Sequence, residues 1–192
     1  KILNSLMHNK FLKKYYFINK FDPDELNKLN KDISIIYRNY SKKVMPKSII
    51  KIKIICKKKG IKFLISNNIK LAIKLNLDGV YLPSFNNSLK INNYKLKKNF
   101  LIIGSAHNLK EIRIKEKQKV KEIFISSLFK KKKTLLGINR FKIISKLTKI
   151  PIIALGGVSL ENIKKLNLLN IVGFSGISLF KKKGPIKGPL NF

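Results

Sequence analysis

Short apolar runs alternate along the chain with segments in which apolar residues recur at helical spacing. Continuous apolar runs of this length are typical of parallel strands that are covered on both faces by helices. The predicted strands are 15–19, 33–38, 62–66, 79–83, 100–105, 122–126, 150–155 and 171–176. The predicted helices between them are 22–30, 46–60, 69–76, 109–119 and 139–149, while 84–98 is rich in asparagine and only weakly helical. Asp22 is placed to cap the first helix, with Pro23 at its first position.

This alternation predicts an α/β fold with a parallel sheet, and eight units predict a small closed (β/α)₈ barrel. A doubly wound open sheet is the competing fold. We expect one barrel domain over residues 1–192, with a helical extension at 1–14. Residues 181–192 contain two prolines and two glycines, which predicts an irregular tail and a truncated last helix.

The stretch IPIIALGGVSLENI, residues 150–163, is a charge-free apolar run followed by Gly156 and Gly157. Two adjacent glycines allow a sharp turn and a close approach of the backbone to something else. Ser159 stands where the N-cap of a following helix is expected. The sequence therefore predicts a strand, a tight turn and a helix N-terminus in immediate succession.

Composition narrows the function classes. The chain is 44% apolar, which is typical of a globular protein, and its single cysteine, Cys56, excludes an intrachain disulfide and favours a cytoplasmic location. No apolar run reaches the length of a membrane span, so we expect no membrane partner. The formal charge of +34 would suit nucleic acid, but the cations are almost all lysines spread evenly along the chain. We therefore expect no specific nucleic-acid partner, since base recognition favours arginine.

In a (β/α)₈ barrel the active face lies at the carboxyl ends of the strands. The side chains that follow the predicted strands are the candidates for the site. They are Asn19, Lys20, Arg38, Asn39, Ser66, Asn67, Ser84, Asn86, Ser105, His107, Ser127, Gly156, Gly157, Ser175 and Gly176.

The loops after the last two strands of such barrels commonly bind phosphate. Gly156, Gly157, Ser175 and Gly176 fall on these two loops, which predicts a phosphate site. No carboxylate follows any predicted strand, so a carboxylate-held magnesium ion has no evident ligands. His107 is the one histidine among the candidates and is the candidate for proton transfer.

Several of these segments resemble the thiamine-phosphate synthase and TenI family. The clearest is PIIALGGVSLENI, which is similar to the family's proline, apolar run and double glycine before the seventh helix. NIVGFSGISLF, LDGVYLPS, IIGSAHN and EIFISSLF are similar to the family's strands 8, 4, 5 and 6. The resemblance covers about residues 15 to 180 and keeps the order of the elements.

The resemblance implies an enzyme that joins a thiazole phosphate to a pyrimidine carried as its diphosphate and releases pyrophosphate. It implies that Gly156, Gly157, Ser175 and Gly176 hold the thiazole phosphate and that Arg38 holds the diphosphate. Asn67, Asn86, Ser105 and Ser127 are the further positions expected to contact substrate. Lys130–Lys133, after strand 6, are candidates to supply cations near the pyrophosphate.

The sequence also departs from the family pattern. Ile36 and Tyr40 replace the glutamine and lysine that flank the strand 2 arginine, and Tyr81 replaces the strand 4 histidine. Asn67 and Asn86 stand where the family has magnesium-binding carboxylates, which makes Mg²⁺ a doubtful cofactor.

Three functions stay open at this point: a divergent synthase, a TenI-type thiazole tautomerase using His107, and a phosphate-binding barrel without catalysis. A homo-oligomer is compatible with all three.

Overall fold

The computed structural model of the chain describes residues 12–40, 46–130, 135–176 and 180. Its eight parallel strands form a closed barrel in sequence order, with β8 paired to β1. The strands are β1 Lys13–Ile18, β2 Ile33–Tyr37, β3 Phe63–Ser66, β4 Gly79–Leu82, β5 Leu101–Ala106, β6 Glu122–Ile125, β7 Ile152–Leu155 and β8 Gly173–Ser175. The predicted barrel is confirmed, and the alternative of an open sheet is wrong because no edge is left between β8 and β1.

The N-terminal end of β1 differs from the prediction. Lys13 and Lys14, which were assigned to a helical extension over 1–14, pair in register with Gly173 and Phe174 of β8. The Lys13 ammonium binds the Glu122 carboxylate, and Lys14 binds Asp32 at 2.6 Å. Lysines are tolerated at the start of a barrel strand when their charged ends reach carboxylates at the rim. Residues 1–11 and 181–192, which include the rest of the predicted extension and the predicted tail, lie outside the described residues.

Within the described residues, five α-helices lie between the strands, at positions close to the predicted ones. They are α1 Pro23–Asn27, α2 Pro46–Lys59, α3 Ile69–Lys74, α4 Leu109–Lys117 and α5 Gly137–Ser145. Side chains cap three of them: Asp22 accepts from the Glu25 amide at 3.1 Å, and Asn68 and Asn108 each accept at 3.0 Å from the amide three residues on. Such caps satisfy backbone donors that the first helical turn leaves unpaired.

The predicted helix after β7 is wrong in both start and type. The chain instead forms a turn at residues 160–162 and a 3₁₀ helix at Ile163–Leu168, with Asn162 at its N-cap position. Asn162 Oδ1 accepts from the Ser159 amide at 3.0 Å, and the Ser159 hydroxyl bonds to Glu161 at 2.9 Å. The Ser159 side chain is therefore used within the turn and caps no α-helix. A second 3₁₀ helix, Leu89–Asn93, lies in the weakly helical segment 84–98.

Large side chains fill the barrel interior. Tyr15, Phe17, Tyr81 and Phe124 are 5% exposed or less and meet one another edge-on or tilted, with ring centroids 5.3–5.8 Å apart. The outer faces of the strands pack against the helices in a separate apolar core. A filled interior leaves the open ends of the barrel as the places where a ligand can bind. No helix among the described residues is long and apolar enough to cross a membrane.

Candidate active site

Arg38 lies directly after β2, at the mouth of the barrel, which is the end formed by the carboxyl ends of the strands. Its guanidinium carbon is 4.4 Å from the centre of the Phe17 ring, which closes the barrel interior below it. The ring face orients the cation without neutralising it, because the attraction comes from the ring quadrupole and not from a counter-charge. Arg38 has no ion pair with any described residue. A planar cation held in this way can donate two parallel hydrogen bonds to an anion that enters from the mouth side.

Tyr81 and Ser105 form the neighbouring part of the floor. The Tyr81 hydroxyl donates to Ser105 Oγ at 2.8 Å, and both side chains are buried. Burial raises the pKa of Tyr81 to about 12, while Ser105 and the nearby Arg38 act in the opposite direction. Tyr81 therefore stays protonated near neutrality, and Ser105 is positioned by it as a polar group below the mouth.

Asn67 and Asn86 meet at the mouth after β3 and β4. Asn86 Nδ2 donates to Asn67 Oδ1 at 2.5 Å, and the backbone N–H of Asn67 donates to the Tyr81 backbone carbonyl at 2.8 Å. Asn67 has a φ of 57°, a left-handed conformation that asparagine adopts more readily than most residues. The Tyr40 hydroxyl, 3.1 Å from Ser66 Oγ, ties the end of β2 to the same corner. The structure thus brings the two predicted asparagines into direct contact.

His107 sits at the start of α4, on the rim of the mouth. Its ring Nδ1 is 3.0 Å from Glu111 Oε2, and its backbone amide donates to the same oxygen at 2.7 Å. Glu111 is held in turn by Asn108, whose side chain donates to Glu111 Oε1 at 3.1 Å. A carboxylate partner favours the tautomer protonated at Nδ1, which leaves Nε2 as the ring's acceptor. Glu111 therefore orients the histidine while it completes the helix cap.

Gly156 and Gly157, after β7, approach the loop that follows β6. A Cβ on Gly156 would lie 2.6 Å from Ser127 Oγ, and one on Gly157 would lie 2.5 Å from the Lys130 amide nitrogen. The two glycines also have φ values of 103° and 80°. The Gly156 carbonyl accepts from the amides of Phe129 and Lys130 at 2.7 and 3.2 Å. The packing of two loops thus requires both glycines, independently of any ligand.

Donors are left over on this side of the mouth. No hydrogen bond from the backbone N–H of Gly157 or Val158 to another described residue is present. Ser175, at the end of β8, is 1% exposed, and its hydroxyl has no partner among the described residues. Leaving a buried polar atom unpaired costs about 1–3 kcal/mol, so such an atom needs an explanation. Ser175 is paired in register with Leu155 of β7, two residues before Gly157. Backbone amides and a hydroxyl at the ends of neighbouring strands suit a bound oxyanion.

Three other predicted groups are Ser127, Lys130–Lys133 and Gly176, of which only Lys130–Lys133 is partly described. Ser127 is buried, and its hydroxyl donates to the Lys130 carbonyl at 3.2 Å, so it closes the loop after β6. Lys130 is exposed at the end of that loop, while 131–134 lie outside the described residues. Gly176 is buried directly after β8. The roles of Ser127 and Lys130–Lys133 in substrate binding stay predictions.

The mouth offers poor ligands for magnesium. Within the described ranges, no three His, Cys, Asp or Glu side chains come together. At the two positions where carboxylates were expected, Asn67 Oδ1 and Asn86 Oδ1 already accept hydrogen bonds from protein donors. Mg²⁺ prefers carboxylate and water oxygens, and these two neutral, engaged oxygens do not fit it.

Sequence reasoning did not predict three residues of the site. Phe17 is the platform of Arg38, Tyr81 positions Ser105, and Glu111 holds His107. Glu111 had a signal, because Asn108-x-x-Glu111 has the spacing of a capping box, whose glutamate reaches back past the helix start. Phe17 had none beyond strand periodicity, which predicts burial but not the partner. For Tyr81, the resemblance indicated that it stands at the position of the strand 4 histidine, but not that it would bond to Ser105.

Comparison with known proteins identifies similar chains. The sequence model of a family described as thiamine monophosphate synthase matches residues 30–180. The chain is 33% identical over 190 residues to the thiamine-phosphate synthase of Pelagibacter ubique, which covers 90% of this chain and 91% of that one. It is 32% identical over 123 residues to the putative thiamine-phosphate synthase 2 of Aquifex aeolicus, over 61% of this chain and 64% of that one.

The fold is also similar to solved structures. Thiamine phosphate pyrophosphorylase from Pyrococcus furiosus superimposes with a TM-score of 0.70 over 88% of this chain and 87% of that chain. The identity in that comparison is 18%, so it bears on the fold alone.

Proposed function

The chain belongs to the thiamine monophosphate synthase family and is a transferase of thiamine biosynthesis, and we propose that its mouth couples a thiazole phosphate to hydroxymethylpyrimidine diphosphate. In this reaction a bond forms between the thiazole ring and the pyrimidine's methylene carbon. The carbon–oxygen bond to the diphosphate breaks, and the electron pair leaves with pyrophosphate. The protein's task is to bind both substrates together and to stabilise the charge that develops on the leaving group.

The observation that carries this proposal is that hydrogen-bond donors gather in two separate groups at the mouth. Arg38, Asn67 and Asn86 form the half at the ends of β2 to β4, which we assign to the diphosphate. Fixed donors stabilise a leaving oxyanion without reorganising during the reaction. Arg38 is suited to this because Phe17 orients it and no described carboxylate neutralises it.

We assign the thiazole phosphate to the half at the ends of β7 and β8. Among the described residues, the backbone N–H groups of Gly157 and Val158 and the Ser175 hydroxyl have no hydrogen-bond partner, which supports this assignment. Backbone amides bind phosphate by geometry and need no charged side chain. The two anions would then sit on opposite sides of the mouth, with the rings between them.

The test is a coupled assay with the purified protein, thiazole phosphate and the pyrimidine diphosphate, following pyrophosphate release with magnesium and with chelator. We expect turnover that requires both substrates. Binding of thiazole phosphate without any turnover under either condition would overturn the synthase proposal and leave a phosphate-binding half-site. A cytoplasmic location, the absence of a specific nucleic-acid partner and the oligomeric state stay predictions.

A further inference from the structure

A buried lysine outside the mouth is hydrogen-bonded to the loop that carries Asn86. Lys115, on α4, is 0% exposed, and its aliphatic stem packs against Gly104 of β5, where an added Cβ would lie 2.8 Å from Lys115 Cδ. Its ammonium donates to the Asn86 carbonyl at 2.7 Å and to Gln118 Oε1 at 3.0 Å. A lysine is almost never buried without such partners, because burial of the charge is costly.

Gln118, also 0% exposed, connects this lysine to the Asn86 side chain. Its Nε2 donates to the Asn86 carbonyl, to Asn86 Oδ1 and to the Ser88 carbonyl, at 3.0, 2.9 and 2.9 Å. Because carbonyl oxygens can only accept and the ammonium can only donate, the two ends of the Gln118 amide cannot be exchanged. Its oxygen faces Lys115 and its nitrogen faces the loop.

The same constraint passes on to the mouth. Asn86 Oδ1 accepts from Gln118 and from the Ser88 backbone amide at 3.1 Å, so Asn86 Nδ2 is directed at Asn67. Asn67 Oδ1 is thereby occupied as an acceptor. Asn67 is exposed, and its Nδ2 donates to no described residue. The group that this corner presents to the mouth is therefore an N–H₂ donor and not an oxygen ligand.

We propose that Lys115 and Gln118 are positioning residues that fix the hydrogen-bonding polarity of the Asn67–Asn86 pair, so that Asn67 donates directly to diphosphate oxygens. The proposal rests on the proposed function in its choice of ligand. At positions 67 and 86, an N–H₂ group that donates directly to the diphosphate thus takes the place of a carboxylate-bound cation. Arg38, which follows the adjacent strand β2, supplies the positive charge beside this donor.

The experiment measures binding of inorganic pyrophosphate by calorimetry, with EDTA and in about 0.3 M NaCl, where the many surface lysines are largely screened. In Gln118→Glu the side chain can no longer donate to Asn86 Oδ1, while its new charge pairs with Lys115. Asn86 is then expected to turn, and Asn67 with it, so that an oxygen faces the mouth. We expect at least a tenfold loss of pyrophosphate affinity, although residue 118 does not touch the ligand.

Asn67→Asp tests the donor directly at an exposed position. We expect at least a tenfold loss in EDTA, and a recovery on adding magnesium, because a carboxylate can hold the cation. Asn76→Asp is the matched control: Asn76 is an exposed asparagine with a φ of 46°, near the start of β4 at the opposite rim. It makes the same charge change in the same backbone conformation, and we expect binding within twofold of wild type.

Wild-type affinity for pyrophosphate that appears only with magnesium would overturn the proposal. So would an Asn67→Asp or a folded Gln118→Glu variant that binds pyrophosphate as wild type does in EDTA. If Gln118→Glu does not fold, Asn67→Asp decides alone. These binding measurements do not require turnover, so a failed coupling assay with the expected binding pattern would refute the synthase and leave this inference standing.

Discussion

The two halves of the mouth bind their proposed anions with different parts of the protein. At the ends of β2 to β5, side chains form a connected set of hydrogen bonds from Lys115 through Asn86 to Asn67, with Tyr81 and Ser105 beside them. At the ends of β7 and β8, the donors are backbone amides and one serine hydroxyl. In the side-chain half, the side chains hold one another in place and leave Asn67 Nδ2 and Arg38 for a ligand. In the backbone half, two amides and one hydroxyl have no partner among the described residues.

This difference explains which half kept the family pattern. Backbone donors depend on chain geometry, which Gly156 and Gly157 secure, so changes in residue usage elsewhere do not affect them. Side-chain donors depend on residue identity, and here the expected carboxylates are asparagines held by a buried lysine and glutamine.

Removing the cation of the side-chain half should have the largest effect. We expect Arg38→Met to lower the rate of pyrophosphate release about 100-fold, because one fixed donor to a leaving oxyanion is typically worth that much. The rate for Arg38→Lys should lie between those of this variant and wild type, because lysine keeps the positive charge but cannot donate two parallel hydrogen bonds. Arg140→Met, at an exposed arginine of α5, is the control. A loss of less than threefold in Arg38→Met would remove Arg38 from the site.

In the backbone half, Gly157→Ala should weaken thiazole phosphate binding at least tenfold, because its Cβ would push on the Lys130 amide. Gly60→Ala is the matched control, since Gly60 has a similar φ of 66° and nothing within 4 Å of an added Cβ. Both variants should lose about 1–2 kcal/mol of unfolding free energy from the left-handed backbone. Gly157→Ala should lose additional unfolding free energy because of the contact with Lys130, and only this variant should bind thiazole phosphate poorly. Equal affinities in the two variants would contradict the assignment of this half.

The buried lysine gives the side-chain half a dependence on pH. Burial lowers the pKa of Lys115 from 10.5 to about 8, against an opposing effect of the Glu111 carboxylate. Between these values the unfolded chain binds more protons than the folded chain, so this group makes the free energy of unfolding rise with pH. We expect the free energy of unfolding of wild type, relative to that of Lys115→Met, to rise by about 1 kcal/mol per pH unit from pH 8 to 10. Urea denaturation measures this difference.

Lys117→Met, at an exposed lysine of the same helix, is the control. The difference in unfolding free energy between wild type and this variant should stay constant over the same pH range. A constant difference between wild type and Lys115→Met over this range would show that Lys115 titrates normally.

The smallest effect is expected at the rim. His107→Ala should lower the coupling rate less than threefold, because neither anion-binding half uses the ring and Glu111 keeps its bond to Asn108. Steady-state kinetics with both substrates measures this. A loss of 100-fold would contradict this expectation and show that the His107 ring takes part in the coupling reaction.

The sequence alone determined the alternation of strands and helices. Eight apolar runs separated by helical patterns predict a parallel sheet covered by helices, and their number favoured a barrel over the competing open sheet. The pairing of β8 with β1 decided between the two. The glycines after β7 were also evident, because no other residue type adopts a φ of 103° or 80° so readily. The same local logic failed at Ser159, where the turn held by Asn162 replaced the predicted helix start.

Only the tertiary structure decided what the site residues do. No pattern in the sequence places Lys115 and Gln118 beneath Asn86, about 30 residues earlier in the chain, because hydrogen bonds between distant segments have no periodicity. Likewise, the double glycine indicated a close approach, but the fold identified what it approaches as the Ser127–Lys130 loop. Spacing along a chain encodes which face a residue lies on, whereas its partner depends on how neighbouring strands and loops come together in the closed barrel.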